Sequence, residues 1–454
     1  MSILKKSLAL PFVLGILFFT ACKKDKVGGD EVIDPSASAS DKIKDSTLLY
    51  TRDLYLWYKQ IPATFNARSY DDPAKIMIAI RKYSMEPGFA EPVDKWSFAV
   101  KQAEWDKVSS GIAGDFGINV FFRTADDLRV KAVEPNSAAG KAGIRRGWRI
   151  VKINGSENIT TANVNFVVQN VFESNSTTFS FQKPDNSIVN ITLNASSYKE
   201  QPVLLDTIYN VNSKKIGYLV FNSFLGDTTQ IYNSFSRIFT GFTATGINDL
   251  IIDLRYNGGG YVSVAEKLGD YIVPPSGNGN VMMKQQFNDK YTQYNSVDYF
   301  NKKGSLNLPR VFFIVSSSSA SASELLINNL KPYMDVILLG ASKTYGKPVG
   351  FFPIPVADWY IFPVSFKTVN KNGEGNYYGG FNLNNQVADG LDKDWGDLNE
   401  SSLKGAVSYI SSGVFGRAGN TVDRTYKEIP EVKAGNTILD EPSFKGSIDT
   451  RRLK

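Results

Sequence analysis

The second half of the chain alternates apolar runs with segments of helical spacing. Strand-forming side chains dominate four runs, at residues 216–221, 249–254, 311–315 and 336–339. Apolar and aromatic side chains recur every three or four residues at 229–241, 262–272, 322–331 and 401–410. Strand and helix therefore alternate, which predicts βαβ units around a mainly parallel sheet over residues 198–413.

Two different patterns precede this α/β region. Residues 46–105 have helical spacing, and a second helix is predicted to start at the Asp72–Pro73 pair. Residues 106–197 are β-rich, with strands predicted at 117–122, 128–133, 149–153, 178–182 and 188–193 and a helix at 161–172. We therefore expect a helical N-terminal domain, a β-rich domain and an α/β domain. Residues 414–454 are polar and without periodicity, which predicts a mobile tail.

The first residues are typical of a targeting segment. Lys5 and Lys6 precede an apolar run, Leu8–Phe19, that is too short to span a bilayer comfortably. The small residues before Cys22 resemble the lipobox of bacterial lipoproteins, in which the cysteine is lipidated and becomes the mature N-terminus. The alternative is an ordinary secretory signal in which the cysteine stands by chance.

These features predict how the N-terminal part is used. We expect a signal peptide at 1–22 and a flexible tether at 23–45. The lipid-anchored protein is then expected in the cell envelope, either facing the periplasm or on the outer membrane. An ordinary secretory signal would also take the protein out of the cytoplasm.

Composition limits the chemistry that the chain can perform. Among 454 residues there is no histidine, and the single cysteine is Cys22. A Ser-His-Asp triad, a Cys-His pair and a histidine-ligated zinc site are therefore excluded within this chain. A nucleophilic enzyme of this composition needs Lys, Asp, Glu or Tyr as its base. The net charge of +6 is mild and no basic run is interleaved with aromatics, so nucleic acid is not an expected partner.

The most promising position for chemistry is Ser321. It lies between the apolar run 311–315 and the predicted helix 322–331. A serine at a strand-to-helix turn is close to backbone N–H groups that can hold an oxyanion, so it can act as a nucleophile. Ser321 and Glu324 also fit a capping box, in which case the serine would only start the helix.

Two further segments are candidates for the same site. The glycine-rich loop Asn257–Gly260 directly follows a predicted strand and can expose N–H groups for an oxyanion hole. Because loops after parallel strands gather at one sheet edge, this loop and Ser321 are expected to meet. Lys347 lies in an apolar setting, and a lysine becomes a base when burial lowers its pKa from about 10.4. The alternative for Lys347 is an exposed surface turn.

Two familiar nucleotide-binding motifs are only approximated. Five residues separate Gly340 from Gly346, one more than in a phosphate-binding P-loop, and Pro348 stands where a hydroxyl would bind Mg²⁺. Residues 257–263 lack the third glycine of a dinucleotide-binding fingerprint. Neither function is expected, and no metal or cofactor is implied.

Three motifs taken together resemble a known family. They are Asp-Leu-Arg-Tyr-Asn-Gly-Gly at 253–259, Ser-Ala-Ser-Ala-Ser-Glu at 319–324 and Thr-Tyr-Gly-Lys at 344–347. In this order they resemble the C-terminal processing (tail-specific) proteases, peptidase family S41. The resemblance covers nearly the whole mature chain. It implies a mixed α/β peptidase core of the ClpP/crotonase type, together with a PDZ domain and a helical N-terminal segment.

The resemblance also implies a role for each matched position. Ser321 corresponds to the nucleophile and Lys347 to the general base. The backbone N–H groups of Ala322 and Gly259 correspond to the oxyanion hole, with Gly260 as the nearest rival. The residues expected to support the loop rather than touch substrate are Asp253, Arg255, Asn257 and Gly260.

Residues 106–197 resemble a PDZ domain of the bacterial protease type, most specifically at Pro135–Gly155. In that family a Gly-Φ-Gly-Φ loop binds the C-terminus of a peptide, which adds to the sheet as a strand. The corresponding loop here is Phe116, Gly117 and Ile118, preceded by Asp115 where the pattern has its first glycine. The alternative is a β module with a purely structural role.

The expected activity is a serine endopeptidase with a Ser/Lys dyad that cleaves proteins or peptides near their C-termini outside the cytoplasm. Its expected partners are C-terminal tails and a membrane reached through the lipid anchor, and a homodimer is left open. Phe351 stands where many members of the family carry a glutamine that orients the lysine. This departure supports an alternative, a catalytically weak or inactive peptide-binding lipoprotein on the same fold. A surface glycan-binding lipoprotein is a second alternative.

Overall fold

The computed structural model describes residues 36–415 and 446–450. Within these residues no helix is both long and apolar enough to cross a membrane. The α-helices are α1 Ala39–Leu54, α2 Pro73–Ile80, α3 Gln102–Ser110, α4 Ala138–Lys141, α5 Val164–Phe172, α6 Thr228–Thr245, α7 Val262–Ile272, α8 Ala322–Leu330 and α9 Ser401–Ser412.

The strands of the same residues form several sheets. They are β1 Phe98–Lys101, β2 Ile112–Ala113, β3 Ile118–Thr124, β4 Asp127–Val133, β5 Arg149–Ile153, β6 Ser176–Gln182, β7 Ile188–Asn194, β8 Tyr198–Lys199, β9 Val203–Val211, β10 Lys214–Phe221, β11 Asp249–Asp253, β12 Gly259–Tyr261, β13 Val281–Phe287, β14 Ser296–Tyr299, β15 Arg310–Val315, β16 Asp335–Gly340, β17 Val349–Gly350, β18 Ile354–Val356, β19 Trp359–Phe362, β20 Phe366–Val369, β21 Asn385–Gln386 and β22 Gly446–Ile448.

The α/β region is built on a six-stranded sheet of order β21-β16-β15-β11-β10-β9. The strands from β10 to β21 pair in parallel, and β9 adds an antiparallel edge. Helices α6, α7 and α8 pack on one face of the sheet, and α9 covers the other. The predicted βαβ arrangement is confirmed, because the parallel strands β10, β11, β15 and β16 alternate with helices along the chain and lie between two helical layers.

The central strands β11 and β15 are neighbours, with Asp253 opposite Ile314. Because they are parallel, the loops that follow them leave the sheet at the same edge. The two loops are bonded directly: the Ser319 hydroxyl donates to the Leu254 carbonyl at 2.7 Å, and the Ala320 N–H donates to the Asn257 carbonyl at 3.0 Å. The expectation that they meet is confirmed.

Residues 112–199 form a β-rich module with its own apolar core. The antiparallel sheet has the order β3-β4-β5-β6-β7, and the short pair β2-β8 joins the two ends of the module. The core contains Phe116, Val130 and Phe179, all nearly inaccessible to solvent. The strands and the helix were predicted close to these positions. The PDZ identity of the module stays a prediction.

The N-terminal region packs against the α/β region through an antiparallel pairing and a shared apolar cluster. Strand β1 pairs with β19, with Phe98 opposite Phe362. The cluster joins Trp96 of this region with Phe351 and other side chains of the α/β region. The helix predicted at Asp72 is confirmed as α2, whose Lys75 N–H donates to the Asp72 side chain at 2.9 Å.

The predicted tether at 23–45 is wrong at its C-terminal end, because α1 already begins at Ala39. The Ser38 hydroxyl accepts a hydrogen bond from the Asp41 N–H at 3.0 Å, as an N-cap does. The run of serine and alanine that suggests a linker therefore starts a helix. Residues 23–35, and with them Cys22 and the signal at 1–22, lie outside the described residues.

A second antiparallel sheet, not expected from the sequence, lies within the α/β region. Its order is β14-β13-β20-β17, and the hairpin β18-β19 lies beside it, paired with β1. Strand β17 ends at Gly350, so this sheet fixes the backbone that carries Phe351. Strands β17 to β20 are only two to four residues long, and no strand was predicted there although Trp359–Phe362 is an apolar run.

The predicted mobile tail at 414–454 is wrong for residues 446–450. Strand β22 pairs in parallel with β12, with Gly446 opposite Gly259. Ser447, Ile448 and Asp449 are buried. A single aliphatic side chain among polar neighbours gives no periodic signal, so the pairing is set by tertiary contacts.

Candidate active site

Ser321 lies directly before α8, after the loop that follows β15, and its side chain is fully buried. Its backbone adopts φ 57° and ψ −104°, a conformation that a residue with a Cβ rarely takes. Such strain costs about 1–3 kcal/mol and is found mainly where function requires it. The sharp turn directs the hydroxyl to the edge of the sheet, where it donates to the Ser447 hydroxyl at 2.6 Å.

Lys347 lies in the segment that leads from β16 to β17, and only 1% of it is exposed. Its Nζ is 3.7 Å from the centre of the Phe351 ring and 5.7 Å from that of Trp96. Burial lowers the pKa of Lys347 well below its usual value, and the charge of Arg81 acts in the same direction. Asp94 and Glu324 oppose the shift without cancelling it. The prediction of a buried, apolar setting for this lysine is confirmed.

One carboxylate holds the backbone of both residues. Glu324 Oε2 accepts the Ser321 N–H at 2.9 Å and the Lys347 N–H at 2.8 Å, and Oε1 accepts the Gly346 N–H at 2.7 Å. Burial raises the pKa of Glu324, and hydrogen bonds from Thr344 and these N–H groups oppose the rise. The sequence identified Glu324 only as a helix cap. In the fold it joins the start of α8 to the loop that carries Lys347.

The glycine-rich loop is placed beside Ser321. The Gly259 N–H donates to Asn257 Oδ1 at 2.9 Å, and the Asn257 side chain donates to the Phe221 carbonyl at 2.9 Å. Gly259 has φ 105°, and a Cβ there would stand 3.0 Å from the Ala322 nitrogen. Gly260 has φ 139°, and a Cβ there would stand 2.3 Å from the backbone of Phe224. Both positions therefore require glycine.

Asp253 and Arg255 belong to a buried ion cluster under this loop. The Arg255 guanidinium contacts Asp253 at 2.6 Å, Asp389 at 2.6 Å and Glu400 at 2.9 Å. Arg146, from the β-rich module, reaches the same Asp389 at 2.5 Å. Burial opposes ionisation of Asp389, but Arg146 and Arg255 hold the pKa of its carboxyl well below the usual range.

The cluster contains residues that the sequence analysis did not single out, namely Arg146, Asp389 and Glu400. They come from segments distant in sequence, and no motif spacing connects them. The same is true of Asp94 and Trp96, which the N-terminal region contributes to the surroundings of Lys347. Asp94 is held in place by the Tyr55 hydroxyl at 2.7 Å and the Ser97 hydroxyl at 2.6 Å.

The predicted peptide-binding loop lies in the β-rich module, at the start of β3. The Asp115 carboxylate accepts the Gly117 N–H at 2.6 Å and the Tyr198 hydroxyl at 2.7 Å. Phe116 and Ile118 are buried in the core of the module. Glu134 lies close by, and burial with the charges of Glu200 and Asp115 raises its pKa to about 8. The Asp115 carboxylate thus accepts an N–H group of this loop. The family resemblance assigns the same loop to binding the carboxylate of a peptide C-terminus.

The segment that contains the strained serine, the buried lysine and the glycine-rich loop also matches a known sequence family. Residues 215–377 match the sequence profile of Peptidase family S41. This segment is therefore similar to that family. S41 peptidases are hydrolases, and the matched segment includes Ser321, Lys347 and the loop Asn257–Gly260.

Several known proteins are similar to this chain. A CtpA-like serine protease of Staphylococcus aureus is 24% identical over 280 residues, which cover 60% of this chain and 52% of the relative. The carboxy-terminal processing protease CtpB of Bacillus subtilis is 24% identical over 281 residues, covering 59% and 53%. The chain thus spans about half the length of these curated relatives.

A solved structure extends the similarity beyond the S41 segment. A protein of Bacteroides fragilis assigned as an S41 protease superimposes with a TM-score of 0.68 at 25% sequence identity. The match covers 81% of this chain and 97% of the other. The mixed α/β fold predicted from the sequence is confirmed by this match and by the sheet order.

Proposed function

We propose that the protein is a serine endopeptidase that uses Ser321 as nucleophile and Lys347 as general base. One observation carries the proposal: a single oxygen of Glu324 accepts the backbone N–H groups of both residues, at 2.9 and 2.8 Å. The two side chains therefore start from neighbouring points of the backbone. Burial lowers the pKa of Lys347 well below its usual value, which favours the neutral amine that a lysine base requires.

The chemistry follows from these positions. Ser321 Oγ attacks the carbonyl carbon of the substrate while its proton moves to Lys347 Nζ, and the carbonyl becomes a tetrahedral oxyanion. The oxyanion collapses, the C–N bond breaks, and Lys347 returns the proton to the leaving amine. Water then attacks the acyl-enzyme and gives its proton to Lys347. The ester bond breaks, and Lys347 returns this proton to Ser321 Oγ. No histidine is needed at any step.

The oxyanion requires N–H donors at the position where its charge develops. Ala322 N is the first candidate, because it follows the nucleophile at the start of α8. The second donor is Gly259 or Gly260. Since the Gly259 N–H already donates to Asn257 Oδ1, we favour Gly260 as the partner of Ala322. A Cβ on Gly259 would stand 3.0 Å from the Ala322 nitrogen, so the turn at Gly259 passes close to the start of α8.

We further propose that the substrates are protein or peptide tails and that the protein works in the cell envelope. The named activity of CtpB, carboxy-terminal processing, supports the choice of tails. The lipobox-like residues before Cys22 support a lipid anchor. The PDZ-like β-rich module is proposed to contact the same tails, although Asp115 makes capture of a free carboxylate less favourable.

The mechanism is tested with purified variants and a peptide ending in an unstructured tail. Ser321→Ala and Lys347→Ala are expected to lower kcat/KM by at least about 10³-fold. Lys347→Arg keeps the charge but cannot release its proton, so it is expected to be equally inactive. Lys343→Ala changes an exposed lysine of the same segment and is expected to keep full activity.

Two outcomes would count against the proposal. Full activity of Lys347→Arg would show that Lys347 is not the base. If several unrelated tails stay uncleaved and a fluorophosphonate probe does not label Ser321, both in the wild type and in folded variants that release residues 446–450 from the site, a non-catalytic peptide-binding protein would be favoured. Circular dichroism and thermal unfolding establish that each variant is folded.

A further inference from the structure

Residues 446–450 are inserted as a strand between two segments of the site. On one side β22 pairs with β12, and the Gly446 N–H donates to the Gly258 carbonyl at 3.0 Å. On the other side the Phe351 N–H donates to the Ser447 carbonyl at 3.0 Å, and the Asp449 N–H donates to the Phe351 carbonyl at 3.3 Å. A peptide that adds to exposed strand edges makes the same kind of main-chain bonds.

The register of this strand brings its backbone beside the candidate nucleophile. The Ser447 hydroxyl accepts a hydrogen bond from the Ser321 hydroxyl at 2.6 Å. In a parallel pair of strands, a residue bonds the two neighbours of the residue that lies opposite it. Gly446 lies opposite Gly259, so the Gly446 carbonyl faces the Gly260 N–H. A Cβ on Gly259 would stand 2.5 Å from this carbonyl oxygen and 3.0 Å from the Ala322 nitrogen. The Gly446 carbonyl therefore lies against the proposed oxyanion donors.

Side chains of the segment are held as well as its backbone. Ile448 is 1% exposed and belongs to the apolar cluster that contains Leu225, Val349 and Phe351. Asp449 is 2% exposed, and its Oδ2 accepts a hydrogen bond from Gln285 Nε2 at 2.9 Å. The next residue, Thr450, is exposed. The groove thus has an enclosed apolar pocket for the residue that follows Ser447.

Glycines line the groove where the inserted strand passes. A Cβ on Gly350 would stand 2.9 Å from the Ser447 carbonyl oxygen. Gly350 and Gly259 thus permit close approach of the inserted strand from opposite sides.

We propose that residues 446–450 are an intramolecular ligand of the peptidase groove, bound in the register of a substrate and excluding external peptide tails until displaced. The inhibitory consequence rests on the proposed peptidase function, whereas the binding itself does not. The Ser321 hydroxyl donates its hydrogen bond to the Ser447 hydroxyl and the oxyanion donors face the Gly446 carbonyl, so an external peptide cannot occupy the same positions. Because the ligand belongs to the same chain, it competes at an effective concentration on the order of millimolar.

The proposal also defines the peptides that the groove accepts. The Ser447 side chain is buried, with its hydroxyl against Ser321, which favours a small residue at that position. The position of Ile448 is enclosed by apolar side chains, which favours an aliphatic residue. External substrates are therefore expected to carry a small residue followed by an aliphatic one next to the bond that is cut.

The first test uses full-chain variants that release the segment without changing the catalytic residues. Ile448→Arg places a charge in the apolar pocket, and Asp449→Pro removes the N–H that bonds the Phe351 carbonyl. Both are expected to raise kcat/KM for an external peptide by at least about 10-fold, mainly through a lower KM, and to speed fluorophosphonate labelling of Ser321. The matched control Thr450→Arg changes an exposed neighbour and is expected to behave as wild type. Rates equal to wild type in both release variants would overturn the proposal.

The second test measures binding without catalysis. A fluorescent peptide with the sequence of residues 444–452 is added to the full-chain double variant Ser321→Ala/Ile448→Arg, and anisotropy is followed. We expect saturable binding, and loss of binding when the isoleucine of the peptide is replaced by arginine. Binding without any peptidase activity would support residues 446–450 as a ligand of the groove and contradict the proposed peptidase function. Peptidase activity without binding, together with unchanged rates in the release variants, would support the peptidase function and contradict the intramolecular ligand.

Intact mass separates an inhibitor from a substrate. The proposal expects wild-type protein to keep residues 447–454 during prolonged incubation. Their loss from wild type but not from Ser321→Ala would show self-cleavage after Gly446 and would overturn the inhibitory role.

Discussion

The ability of Lys347 to act as the base of the proposed dyad depends on the groups around its amine. Lys347 has the aromatic faces of Phe351 and Trp96 near its Nζ, and burial lowers its pKa well below the usual value. The ring of Phe351 occupies the place where the family resemblance expects a glutamine. An apolar ring cannot accept a strong hydrogen bond from the amine, so it confines Lys347 by packing and excludes water.

Asp94 provides a direct test of this electrostatic balance. Its carboxylate favours the charged form of Lys347 and raises the pKa of that lysine against the effect of burial. Asp94→Asn removes the charge, so the pKa of Lys347 is expected to fall further. Activity that requires neutral Lys347 rises with pH through this pKa, and the acidic limb of kcat/KM should therefore move to lower pH. Glu91→Gln, which changes an exposed carboxylate three residues away, is expected to leave the limb in place.

The outcome is read from the pH profile of kcat/KM for a peptide substrate, measured for the wild type and both variants. A limb that moves to higher pH in Asp94→Asn, or that does not move, would contradict this description of Lys347. Because Asp94 also accepts hydrogen bonds from Tyr55 and Ser97, thermal unfolding at each pH shows whether the profile reports the lysine or loss of the fold.

At the scale of elements, the site depends on how α8 and the Lys347 segment are joined. Glu324 supplies this connection from the first turn of α8, where a carboxylate is also favoured by the helix dipole. A capping box satisfies donors within one helix. Here the same carboxylate accepts N–H groups from outside the helix, so a local sequence signal has a tertiary role.

Glu324→Gln tests this connection with little change of shape. Glutamine offers one acceptor oxygen and an NH₂ group, so an N–H of Ser321, Gly346 or Lys347 must then face a donor. We expect a loss of about 1–3 kcal/mol in the free energy of unfolding, measured with urea. We also expect kcat to fall by at least about 10-fold with a smaller change in KM, because nucleophile and base lose their common support. Glu173→Gln, at an exposed position, serves as control. Loss of stability with unchanged kcat would limit Glu324 to a structural role.

The elements that could be predicted are those whose signal is local. The apolar runs of β11 and β15 and the spacing of α8 identify them, and their parallel order places Ser321 next to the glycine-rich loop. The contributions of Asp94 and Trp96 could not be predicted, because they reach Lys347 from a distant segment without a motif. Strand β22 was missed for the same reason: Gly446–Ile448 has no pattern of its own, and its pairing exists only once β12 and Phe351 are in place.

At the scale of the whole molecule, a buried ion cluster links the β-rich module to the active-site loop. Arg146 contacts Asp389, which contacts Arg255, which in turn lies two residues before Asn257. The Tyr256 hydroxyl also bonds Asp389, and the Trp395 ring lies 4.4 Å from the Arg146 guanidinium carbon. A shift of the module relative to the sheet must therefore disturb the carboxylates that hold the loop carrying Gly259 and Gly260.

Arg146→Ala tests this link, and the adjacent Arg145→Ala is its matched control, because Arg145 is exposed. Removing Arg146 leaves Asp389 with less positive charge around it in a buried place, so we expect a loss of about 3 kcal/mol in the free energy of unfolding. The pKa of Asp389, held low by Arg146 and Arg255, should rise towards its usual value. Stability that depends on ionised Asp389 would then be lost at a higher pH on acidification than in the wild type.

The functional consequence separates a link from a simple structural contact. If the cluster positions the oxyanion loop, Arg146→Ala lowers kcat for a peptide and slows labelling of Ser321 at a temperature where the variant is fully folded. Arg146→Lys keeps a positive charge but not the planar guanidinium that contacts Asp389, and it should recover part of the stability and less of the rate. Normal kcat in a destabilised Arg146→Ala protein would mean that the β-rich module is attached to the active-site loop without controlling it.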